Sequence, residues 1–256
     1  MLIAEYATHL TMLVDPAYAG KYLAPRSKEI ILERIYSLEK NTEKAGKKGK
    51  KGKRKLKSWE FSISRDEPLV FRENSEKYQV DIAGIICGVG DDITEVKTRL
   101  RVWSLDEALC YRDGIDCAEF KNKFQEYKKR VMVRYHFDRR APSVEKPEPI
   151  YHLQVGGQTL PDENCWFPKQ IEVPRFHFPP MDIILLCELV LVNFFHKESE
   201  ILRKKPEWIR LIQKSQHIFQ DVYFTQFNKC CVNSSNTILG HLLSLTPPGR
   251  FPSDNW

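Results

Sequence analysis

Long apolar runs, paired cysteines and acids to balance its most basic stretch are what this chain lacks. Its strongest apolar run, Met181 to Phe195, is broken by Asp182, Glu188 and Asn193. That is short of the roughly 20 apolar residues a bilayer crossing needs, so it reads as a buried helix and no membrane partner is expected. The start, Met1-Leu2-Ile3-Ala4-Glu5, has no basic flank, apolar run or small-residue cleavage site. No secretory signal is therefore expected, and the predicted location is cytoplasmic, or nuclear if the source has a nucleus. Seven cysteines fall at 87, 110, 117, 165, 187, 230 and 231. Their odd number and scatter exclude a disulfide framework or a zinc knuckle.

What is present is enough for a substantial core. The chain has 256 residues, 42% hydrophobic and 11% aromatic, which suits one domain over residues 1–256. The formal charge of +6 is concentrated: Lys44 to Lys57 carries nine positive side chains and no acid, and without them the rest stands at −3. This Lys/Gly run has no apolar anchor and is predicted to be a flexible loop over residues 44–57. Nine unopposed cations would release counterions from DNA or RNA, giving salt-sensitive, sequence-independent binding through Lys47, Lys48, Lys50, Lys51, Lys53, Arg54 and Lys55. A solvated insertion or a nuclear-import signal would look the same.

Hydrophobic periodicity divides the chain. Tyr6, Leu10, Leu13 and Val14 predict a first helix. Ser27 can cap a second, running to about Lys40 with Ile30, Ile31, Ile35 and Leu38 on one face. From Ser58 the period becomes two. Trp59 to Ser64, Tyr78 to Cys87 and Ile93 to Ser104 read as strands, with a hairpin turn in Gly88-Val89-Gly90-Asp91-Asp92. A charged helix is expected from about Cys117 to Arg130, then strands over Val131 to Asp138 and Pro149 to Gly156. Pro180 to Lys197, Glu207 to Phe227 and Thr237 to Leu245 read as helices. The expected fold is thus α/β of the α+β kind. It has a central, mostly antiparallel or mixed sheet of about five strands, flanking helices and a helical C-terminal layer over 180–245 that could also receive a protein partner.

Chemistry-bearing residues sit on those strands. Asp81 lies mid-strand on a face continued by Ala83 and Ile85, so its carboxylate is expected to be partly buried and to want a partner. Glu95 and Lys97 are two apart on the next strand and project together. Two carboxylates and an ammonium are what hydrolysis of a phosphodiester by a divalent ion requires. The stretches Val80-Asp81-Ile82 and Thr94-Glu95-Val96-Lys97 resemble the PD-(D/E)xK nuclease superfamily over residues 27–138, although no proline precedes Asp81. That resemblance implies a Mg²⁺-dependent nuclease of a restriction, repair or antiviral-defence type. Asp81 and Glu95 would be the metal ligands and Lys97 the catalytic lysine, with Glu33, or less so Glu29, as a supporting acid. The same alternation of Glu95, Lys97, Arg99 and Arg101 with Val96, Thr98, Leu100 and Val102 also describes a sheet with one solvated face.

A second polar set follows. Arg134, His136 and Asp138 share one strand face, and His152 and Gln154 share another. If the strands are neighbours, His136 and His152 could meet each other and Arg99 or Arg101, forming a phosphate-binding patch or an acid–base pair. Three functions stay open: a metal-dependent nuclease, a non-enzymatic accessory subunit of a nucleoprotein complex, and a histidine-dependent RNase resembling small toxins of toxin–antitoxin pairs.

Overall fold

The computed structural model describes residues 2–46, 58–72, 78–104, 131–139, 151–156 and 175–233. Helix α1 spans Leu2–Val14, and a short 3-10 turn at Ala19–Lys21 leads into α2, Pro25–Gly46. Helix α2 outruns its expected end because Asn41, Thr42, Glu43 and Lys44 contain no breaker before Gly46. Seven strands follow: β1 Ser58–Ile63, β2 Leu69–Val70, β3 Tyr78–Val89, β4 Asp92–Ser104, β5 Val131–Arg139, β6 Tyr151–Val155 and β7 Arg175–His177. Helices α3 Ile183–Phe194, α4 His196–Leu202 and α5 Pro206–Asn233 complete the described residues. The expected helices at 117–130 and 237–245 and residues 47–57 of the polybasic run lie outside them.

The strands form one antiparallel sheet in the order β1-β3-β4-β5-β6-β7, with β2 also pairing to β3. This is the α+β architecture expected, with seven described strands instead of about five. β2 and β7 hold two and three residues, too few to show alternation. β3 and β4 join at Gly90-Asp91, where Gly90 has φ 63°, a conformation that glycine adopts without steric cost. Beside that turn Gly88 runs directly under Trp59, whose indole N–H donates to the Gly90 carbonyl at 2.9 Å.

The two faces of the sheet differ sharply. Trp59, Phe61, Ile63, Val80, Ile82, Ile86, Val96, Leu100 and Phe137 are buried in one hydrophobic cluster with Tyr6, Leu10, Ile31, Leu38, Ile184, Leu191 and Trp208 from the helices. Burying such side chains contributes about 1.5–3 kcal/mol each, so this face is what holds the fold together. Two of the polar groups inside it find partners locally. Thr98 donates to the Met181 carbonyl at 2.5 Å, and Asp182 caps α3 by accepting from the Leu185 amide at 2.9 Å and the Ser215 hydroxyl at 2.7 Å. A bulge in β4 shifts the register at Thr94, so Ile93 and Val96 both reach the core while Glu95 turns to the other face. That other face is polar.

Candidate functional site

The polar face is organised in rows that cross the strands, because directly paired residues in an antiparallel sheet project to the same side. One row runs Ile85, Lys97, Asp138, His152, His177. The next runs Ala83, Arg99, His136, Gln154, Arg175, and the one beyond it Asp81, Arg101, Arg134. The charged strand residues singled out in the sequence thus lie on one face, with Glu33 away on α2, but they do not form the expected metal set.

Asp81 stands opposite Arg101, whereas Glu95 stands opposite Cys87. Six residues of one strand separate those positions, about 20 Å at about 3.3 Å per residue. Two ligands of one Mg²⁺ must lie within about 5 Å, since each bond is about 2.1 Å. Each acid is also engaged. Asp81 accepts from Arg101 Nε at 2.8 Å and Nη2 at 3.1 Å and from the Trp103 indole at 2.5 Å, with both members of the ion pair buried. Burial pushes the Asp81 carboxyl above its ordinary range, opposed by Arg101 and Trp103. Glu95 is paired with Lys97. The residues therefore do not fit a shared divalent ion, and the catalytic and metal roles expected of Asp81, Glu95 and Lys97 as a set are corrected to two separate ion pairs.

Three other expectations change. Glu33, on the outer face of α2, accepts from Arg26 at 2.9 Å, and Arg26 also binds Glu29 at 3.1 Å and Glu67 at 2.8 Å. This is an exposed cluster rather than a support for Asp81. Arg101 and Arg134, expected to meet phosphates, are buried. Arg101 holds Asp81 and donates to the Arg65 carbonyl at 3.2 Å, and Arg134 Nε donates to the Gly156 carbonyl at 2.9 Å. Arg99 is placed differently, as is Lys97.

Both line an open groove of about 420 Å³ on the polar face. Ser62, Ser64 and Arg65 from the end of β1 form one wall, and His136 and Asp138 of β5 form the other. Ile85, 40% exposed, lies between them. Three cationic side chains, one histidine and one carboxylate thus share a concave surface. Asp138 lies 3.6 Å from His152 Nε2, and both are almost fully buried. Neighbouring His177 is held below the ordinary imidazole range by burial and by His152. His136 and His152 do come onto adjacent strands, but only His136 is in the groove wall. Cys87, on the same face, is kept as a thiol by burial and by the Glu60 and Glu95 carboxylates, the reverse of an activated thiolate.

No family model, curated protein or solved structure matches the chain. The site therefore has to be read from its own chemistry. Arg65 was missed in the sequence because it lies beyond the end of β1, where no periodicity marks a face; Ser62 falls on the polar face by the alternation of β1, but nothing in the sequence marked the serines as part of a site. Among the described residues, no helix is long and apolar enough to cross a membrane, and no cluster of three or more His, Cys, Asp or Glu side chains is arranged to hold a metal ion.

Proposed function

We propose that the chain is a nucleic-acid-associated protein that holds a phosphodiester backbone in the groove on the polar face of its sheet. As such it would serve as an accessory subunit of a nucleoprotein complex, with the polybasic run adding non-specific affinity. The observation that supports this is the convergence of Arg65, Lys97 and Arg99 on one open concave surface. Strand alternation fixes Lys97 and Arg99 on the same side, and cations in a shallow low-dielectric cleft concentrate a field that a flexible loop does not. Among the described residues no Phe, Tyr or Trp side chain lines the groove, so the reading is mainly of backbone recognition.

The test is fluorescence anisotropy with a labelled single-stranded oligonucleotide over a salt series. In a Lys97→Ala/Arg99→Ala variant, affinity should fall at least about tenfold. The slope of log K against log salt should flatten by about 1.4, which is two phosphate contacts at about 0.7 each. Identical slopes in both proteins would move the binding site away from the groove.

A second reading, histidine-dependent cleavage of RNA without a metal, is favoured by the place of His136 beside Lys97 and Arg99 in the groove. Imidazole is the side chain most often used as a general acid or base, and the cations would offset charge on phosphorus. Cleavage that resists a chelator and is lost in His136→Gln supports this reading. Intact RNA after prolonged incubation with the wild-type chain excludes it.

A further inference from the structure

The groove is cationic but also contains a carboxylate, and a carboxylate is an odd neighbour for a phosphate. Asp138 lies in the wall directly across from Lys97, its β4 partner in the register. It is 3% exposed and has His152 Nε2 at 3.6 Å behind it, with the His152 side chain fully buried. Its place is therefore fixed by the sheet and by that contact rather than by solvent. A carboxylate offers two acceptor oxygens, and Asp138 lines the groove, where a donor group would meet it. It repels phosphate oxygens and favours a hydroxyl. Cross-strand neighbours such as Lys97 and Asp138 stand about 5 Å apart, so a donor group bound by Asp138 must sit a few ångströms from an anion bound by Lys97 or Arg99.

A ribonucleotide meets that requirement within one residue, because the 2′-hydroxyl and the 3′-phosphate sit on adjacent carbons of the same sugar. Deoxyribose has nothing to offer the carboxylate. Ile85, exposed between the walls, gives the sugar an apolar surface to lie on. We infer that the groove selects RNA over DNA, with Asp138 accepting a hydrogen bond from a ribose 2′-hydroxyl while Lys97 and Arg99 hold the adjoining phosphate. The inference rests on the backbone-binding reading above and names the polymer that this reading leaves open. The 2′-hydroxyl is the general means by which proteins distinguish RNA from DNA at a single site.

The experiment compares three single-stranded oligomers of one length and sequence on the full chain: RNA, DNA and 2′-fluoro RNA. The fluoro sugar keeps an RNA-like pucker but cannot donate. Binding is followed by anisotropy in the presence of a chelator, and a gel verifies that the RNA stays intact. RNA should bind about tenfold tighter than DNA, the effect of one hydrogen bond to a charged group, and 2′-fluoro RNA should group with DNA. In Asp138→Asn, which has nearly the same shape but no charge, the RNA advantage should shrink severalfold while DNA affinity holds or rises. Should that variant fail to fold by circular dichroism, the 2′-fluoro comparison on the wild-type chain still decides. Equal affinity for RNA and DNA, or for RNA and 2′-fluoro RNA, overturns the assignment of Asp138 and leaves backbone binding standing. Absence of binding to all three overturns both.

Discussion

Replacing Arg101 with methionine separates a structural from a catalytic reading of Asp81. The substitution keeps the length of the side chain but removes both guanidinium contacts to the carboxylate, at 2.8 and 3.1 Å, leaving the Trp103 indole as its partner. Because Asp81 and Arg101 are both buried, losing one partner of the pair should destabilise the fold by about 3–5 kcal/mol. With a urea slope near or above about 3 kcal/mol/M for a chain of this size, the unfolding midpoint should fall by roughly 1 M. The deficit should also depend on pH. Burial already raises the Asp81 carboxyl, and the Arg101 guanidinium is the strongest influence opposing it, so the variant raises it further. A carboxyl whose folded pKa exceeds its unfolded value of about 3.9 binds its proton more tightly in the folded state. Its contribution is therefore favourable below that value and is lost as pH rises through the raised folded pKa. Acidification from neutral towards pH 4 should narrow the gap between Arg101→Met and wild type. Replacing both members, as in Asp81→Leu/Arg101→Met, should recover most of the loss. A midpoint in Arg101→Met that does not move, or a gap that widens in acid, would refute this account of the pair.

Three further outcomes are expected of this fold. Glu95→Gln should leave the unfolding free energy from urea titration within about 0.5 kcal/mol of wild type, since its pair with Lys97 is partly exposed, yet oligonucleotide affinity should rise as a negative charge leaves the side of Lys97. Gly88→Ala should destabilise by about 1–3 kcal/mol through overpacking, since a Cβ there would stand 2.4 Å from the Trp59 ring; a shift in tryptophan fluorescence would accompany the lower melting temperature. Asp182, fully buried, is pushed up by burial against its capping bonds to Leu185 and Ser215. Like Asp81 it loses stability as pH rises above the unfolded value near about 3.9, so urea midpoints of Asp182→Asn should vary less between pH 4 and 7 than those of wild type.

Most strands were legible in the sequence because each has one buried and one polar face, which writes a period of two over six to thirteen residues in β1, β3 and β4. β2 and β7 carry no such record. β7 also lies in the sequence between Pro174 and Pro179, and proline is confined to strand ends and sheet edges. The polar face itself was legible residue by residue, since alternation alone groups Lys97 with Arg99 and His136 with Asp138. What alternation does not give is the position of one strand along the next. Asp81 and Glu95 read as neighbours because they lie on consecutive strands, while the tight turn at Gly90-Asp91 sets a register that carries them six residues apart. Counting outward from that turn puts Asp81 against Leu100, and the extra residue of the bulge at Thr94 moves it to Arg101, so the turn alone does not disclose the ion pair. The groove was less accessible, because Arg65 and Ser64 join it from a loop whose path depends on the edge of the finished sheet.

The most direct measurement is photo-cross-linking of a 4-thiouridine oligonucleotide to the full chain, with the attached peptides mapped by mass spectrometry. The account predicts adducts within Ser62–Arg65, around Lys97 and Arg99 and near His136, persisting when residues 47–57 are replaced by a neutral linker. Adducts confined to the polybasic run, or on the helical side of the sheet, would contradict it.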